Sequence, residues 1–118
     1  MSEIRATTIS DAAGTGPIAL TGQSAAKAWA RYDGASVLAD SFNVASAVDG
    51  ATTGQTTVNF TNSMSDGNYA SQATCNGTSG DRFATCATLS AGSYDTYTFD
   101  GATRTELPVG TMVTGDLA

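Results

Sequence analysis

The chain predicts an all-β protein: an antiparallel β-sandwich or small barrel preceded by an extended N-terminal arm. Three observations carry this. Turn signals, many of them Gly or Asp-Gly, recur roughly every eight to twelve residues. Between them lie short runs rich in Thr, Val, Phe and Tyr, residue types that suit a pleated, half-buried surface. No stretch shows the sustained 3.6-residue period of a long helix.

Residues 2–10 alternate, with Ile4, Ala6 and Thr8 on one face and Arg5, Thr7 and Ile9 on the other, as in a strand or extended arm. Asp11 to Pro17 is a turn cluster in which Gly14 and Gly16 permit positive φ. Residues 18–22 are a second short extended piece. Residues 1–24 hold too few apolar side chains to fold alone, so they are expected to form an anchoring or oligomerisation arm, with a β knob over 25–118. Gln23 to Lys27 suits one helical turn capped by Ser24. A strand follows, with Ala28, Ala30 and Tyr32 on one face and Trp29, Arg31 and Asp33 on the other. Trp29, the only Trp, is the largest apolar mass available and reads as a core or subunit-interface anchor, with a ligand platform as the alternative. Asp33-Gly34 is a hairpin turn.

The run over 37–48 turns Phe42, Val44 and Val48 inward. Residues 49–54 are a loop. The strand over 55–61 places Val58 and Phe60 inside and Thr57, Asn59 and Thr61 outside. Together these two runs form a hairpin. Tyr32, Phe42 and Phe60 join Trp29 as core or interface anchors. Further strands are expected over 68–75, 82–89 and 93–99, separated by turns at 62–67 and 90–93. Asp100-Gly101 turns the chain again, and a last short strand near an edge follows Pro108.

The charge balance excludes some partners. The net charge is −6, the five basic residues are scattered, and an acidic surface repels phosphate backbones, so no nucleic acid is expected. No apolar run approaches the roughly 20 residues of a membrane span, and residues 1–5 do not read as a secretory signal. The protein is expected to be made soluble in a cytoplasm. There is no His, which removes the commonest general base and metal ligand. Most Asp residues sit beside Gly or Ser, where they make local turn bonds. A Ser24–Lys27 pair lacks supporting context, and the Asp49 and Asp81 loops lack calcium-loop spacing. No catalytic residue, cofactor or metal is therefore expected. Cys75 and Cys86 flank a loop and are either a disulfide or two half-buried thiols. Tyr94, Tyr97 and Asn76, near the loops at 52–54, 76–81 and 90–93, are candidate receptor-facing residues. The alternative is that the tyrosines only cover a sheet.

Several separated motifs occur in one order: Gly14-Thr15-Gly16-Pro17, Leu20 to Trp29, Tyr32-Asp33-Gly34, Asp40-Ser41-Phe42-Asn43-Val44, Thr57-Val58-Asn59-Phe60-Thr61 and Asn68-Tyr69-Ala70. In this the chain resembles bacteriophage tail-fibre and virion fibre-spike modules over about residues 4–75. The resemblance implies a virion structural protein, usually a homotrimer. Such a protein contacts other tail or capsid proteins and exposes a knob to host-surface glycan or protein. It transfers no catalytic residue. Its alternative implication is a capsid decoration protein that stabilises the shell.

Overall fold

The computed structural model describes residues 25–77 and 80–118. The strand, turn and extended piece expected over 2–22, the Ser24 cap and the arm over 1–24 lie outside the described residues. Among those described there are nine strands and no helix: β1 (Ala28–Tyr32), β2 (Leu38–Phe42), β3 (Val44–Asp49), β4 (Gln55–Phe60), β5 (Ala70–Cys75), β6 (Arg82–Ala87), β7 (Ser93–Asp100), β8 (Thr103–Arg104) and β9 (Val109–Thr114). They form two antiparallel sheets. Sheet A has the order β2-β1-β9-β5; sheet B has β3-β4-β7-β6, with β8 paired to β7.

Period-two alternation sets the inner faces. Ala28, Ala30 and Tyr32 of β1 and Val109, Thr111 and Val113 of β9 face Thr56, Val58 and Phe60 of β4 and Tyr94, Thr96 and Thr98 of β7. Tyr32 and Phe60 are thus core residues, as expected. Two tyrosines cross the core in opposite directions. Tyr32 reaches from sheet A to bond Thr96, and Tyr94 reaches from sheet B to bond Thr111 at 2.7 Å. These pairs satisfy hydroxyls that would otherwise be costly to bury. Among the described residues no buried side-chain nitrogen or oxygen lacks a partner. Phe60 packs edge-on to Tyr69 at 5.7 Å and tilted on Tyr94 at 5.5 Å, joining β4 to the loop before β5.

The run over 37–48 is not one strand. Asn43 takes a left-handed conformation (φ 55°), which Asn tolerates well, and the chain switches there from sheet A to sheet B. Asn43 Nδ2 donates to the Lys27 and Asn62 carbonyls, and its Oδ1 accepts from Asn62 N–H at 2.7 Å. The switch reverses the expected facing. Phe42 pairs with Trp29 on the outside of sheet A and is 55% exposed, so it is not a core residue. A bulge between Val44 and Ser46 then turns Ala47 inward and Val48 outward. The helical turn expected before β1 is also absent over 25–27, because Lys27 N–H donates to the Val113 carbonyl as a strand entry. The Asp33-Gly34 turn spans 33–37: Asp33 Oδ1 accepts from the Ala35 and Val37 N–H groups, and Ser36 carries the positive φ.

The last strand is central, not near an edge. β9 lies between β1 and β5, and Pro108 precedes it, so no ladder donor is lost. On one side of the sandwich β5 and β6, from different sheets, lie against each other without a ladder. Along this seam Ala73, Cys75, Arg82 and Ala84 line a cleft of about 270 Å³. Both cysteines are free. The Cys86 thiol bonds the Ser71 side chain, and Cys75 lies near Arg82. Burial pushes both thiols above their ordinary range.

Gly54 closes the turn between β3 and β4 with φ +74°, and a Cβ there would lie 2.7 Å from the Thr98 carbonyl. Gly54→Ala is expected to cost about 1–3 kcal/mol, read as a lower denaturant midpoint at unchanged slope.

Candidate functional site

The alternation that turns Ala28, Ala30 and Tyr32 inward places Trp29 and Arg31 on the outer face of sheet A. Trp29 is 37% exposed and does not belong to the core. The reason is space: Tyr32, Tyr94, Val109 and Val113 fill the interior beside β1, leaving room only for Ala. On the outside, strand register lines side chains into two rows. Phe42, Trp29, Met112 and Gln72 form one; Asp40, Arg31, Gly110 and Thr74 form the next. Met112 is 46% exposed, so the first row sets three large apolar side chains side by side in water. Contiguous apolar surface of this kind marks interaction sites.

Gly110 interrupts the second row. With no side chain there, the face sinks into a trough of about 440 Å³, lined among others by Trp29, Arg31, Gln72, Thr74 and Met112. Its size lies within the range of small-ligand sites. A Cβ added at Gly110 would meet nothing closer than 3.9 Å, where Asn76 Nδ2 and Thr74 Oγ1 stand. The trough therefore has an indole on one side, a guanidinium on another, and amide and hydroxyl groups on its rim. The ion pair found among the described residues joins Arg82 to Asp100 at 3.1 Å and does not involve Arg31.

The other candidate residues separate. Tyr94 is 0% exposed and bonded to Thr111, so it cannot face a receptor. The cause is again alternation: on the central strand β7, residues 94, 96 and 98 point inward while 97 and 99 point outward. Tyr97 does lie on the outer face of sheet B, but the Arg104 guanidinium covers its ring at 4.5 Å and donates to Thr52 Oγ1. Phe99 stacks on Phe83 at 4.8 Å. Beside them Asp95 accepts from Thr57 and Gln55. The polar groups of this face are taken up by its own side chains, while Phe83 stays half exposed as a single stacked ring. Asn76 is exposed at the end of β5, on the trough's rim and far from the two tyrosines in role.

The residues that sequence reasoning missed are Arg31, Gln72, Thr74, Gly110 and Met112. Alternation in β1 does place Arg31 with Trp29. Gly110-x-Met112 alternates against Val109-x-Thr111-x-Val113, which is the signal for the rest of the face. A scan against protein-family models finds no match, and searches of curated proteins and of solved structures find none either.

Proposed function

We propose that this chain is a virion structural protein, a fibre or spike that attaches to the particle through residues 1–24 and presents its β knob outward to the host surface. The observation that carries this reading is the in-register row of Phe42, Trp29 and Met112 on the outer face of sheet A. A small domain gains nothing from three large apolar side chains facing water, so the row marks a contact face. The resemblance of residues 4–75 to phage fibre modules supplies the setting: a non-enzymatic homotrimer carried on a virion.

The test has two parts. Sedimentation of the full chain at micromolar concentration is expected to give a trimer mass; a monomer would sink the trimer. Deletion of residues 1–24 is expected to abolish attachment to particles produced without this protein. Attachment unchanged by the deletion would remove the arm from the account, and labelling spread over the whole shell would favour a decoration protein instead.

A further inference from the structure

We propose that the trough beside Trp29 binds a carboxylate-bearing pyranose unit of a glycan. The inference deepens the reading of the knob as a host-surface binder and rests on it for its setting. Three features of the trough point to this ligand. First, the Trp29 indole is its apolar wall and is held half out of the sheet, where the C–H face of a sugar ring can cover it. Second, Gln72, Thr74 and Asn76 provide amide and hydroxyl groups that can both donate to and accept from ring hydroxyls. Third, Arg31 is the one charged residue among those that line the trough, so the trough itself is locally cationic on an otherwise acidic chain.

Charge complementarity therefore selects an anion, and a guanidinium fits a carboxylate with two parallel hydrogen bonds. Asp40, across from Arg31 on β2, is the acidic neighbour, and its Oδ1 accepts from Ser41 N–H. Asp40 on β2 and Gly110 on β9 flank Arg31 from opposite sides, so the trough lies on the side of Arg31 away from its acidic neighbour. A second copy of this chain would cover the apolar row but would leave the amide and hydroxyl rim without a purpose.

The single Trp makes the site its own reporter. Trp29 emission of the full-length chain would be followed during titration with methyl β-glucuronide, methyl β-glucoside and an oligogalacturonate. A saturable change is expected with the glucuronide and the oligogalacturonate. The neutral glucoside is expected to bind about tenfold more weakly, the worth of one charge-assisted contact. Arg31→Gln should remove that preference. Gly110→Val should abolish the response by filling the trough, with circular dichroism and sedimentation unchanged, because the nearest atoms to the new Cβ are at ordinary contact distance.

No saturable change with either acidic sugar would overturn the proposal. So would an acidic preference that survives Arg31→Gln, or a spectral change that follows protein concentration without sugar, which would assign the face to a second copy. A chain that fails to bind sugar but still forms trimers and attaches to particles loses only this inference. A chain that neither trimerises nor attaches loses the fibre reading itself.

Discussion

Tyr94→Ala is expected to destabilise the knob by about 3–5 kcal/mol, whereas Trp29→Ala costs about 1 kcal/mol or less. The contrast follows from where each ring sits. Tyr94 is fully buried on the central strand of sheet B, packs on Phe60 and sends its hydroxyl across the core to Thr111. Its removal leaves a cavity between the sheets and takes away the stronger of Thr111's hydroxyl partners, the other being the Ala30 carbonyl at 3.4 Å. Against a total stability of about 5–15 kcal/mol for a small domain, that loss lowers the midpoint of thermal unfolding by roughly 15–30 °C. Trp29 lies on the outer face of sheet A, so truncating it opens no cavity. Thermal unfolding of the two variants side by side checks the assignment. Equal losses would place both rings in the core and remove the outer-face site.

Raising the pH is expected to unfold the protein cooperatively as the buried tyrosines are forced to ionise. Burial pushes the Tyr94 hydroxyl up to about 12, against the pull of its bond to Thr111, and burial likewise raises Tyr32 despite its bond to Thr96. A tyrosine in the unfolded chain ionises near pH ~10. Below that pH both states hold the proton, and the folded state keeps its full stability. Above it the unfolded state ionises first and is favoured, so stability falls as pH rises from about 10 through about 12. For Tyr94 alone the loss is about 2–3 kcal/mol, and Tyr32 adds to it in the same direction. Tyrosinate absorbance and circular dichroism should therefore change together for these two of the four tyrosines. Smooth titration of all four near their ordinary value, with the fold intact, would contradict the hydroxyl-bridged core.

The all-β class and most of the strands were legible because alternation and turn residues are local signals, whereas the split of the 37–48 run and the short β8 were not. The strand over 55–60 reads directly, with Val58 and Phe60 inside. Which face of a strand turns inward was harder. β1 alternates cleanly, but mass alone argued for burying Trp29, and the decision belongs to the space left by Tyr32 and Tyr94 from two different sheets. Phe42 and Val48 were lost to two backbone events, the left-handed Asn43 and the bulge after Val44, each of which shifts the alternation by one residue. Tyr94 and Tyr97 look equivalent in sequence, yet one crosses the core and the other lies beneath Arg104. The trough was the least legible feature. Its residues come from β1, β5 and β9, and register between strands that are distant in sequence brings Arg31, Gly110 and Thr74 into one row. Asn43, quoted in the sequence only as part of a motif, turns out to hold the corner where the chain changes sheets.

The central claim is that the outer face of sheet A stays open to solvent in the native assembly and serves recognition. Collisional quenching of Trp29 by acrylamide in the full-length protein tests it most directly. The account predicts the same quenching constant in the intact assembly as in the chain lacking residues 1–24. A Trp29 shielded in the assembly, and quenched only once the subunits separate, would contradict it and make this face a subunit interface.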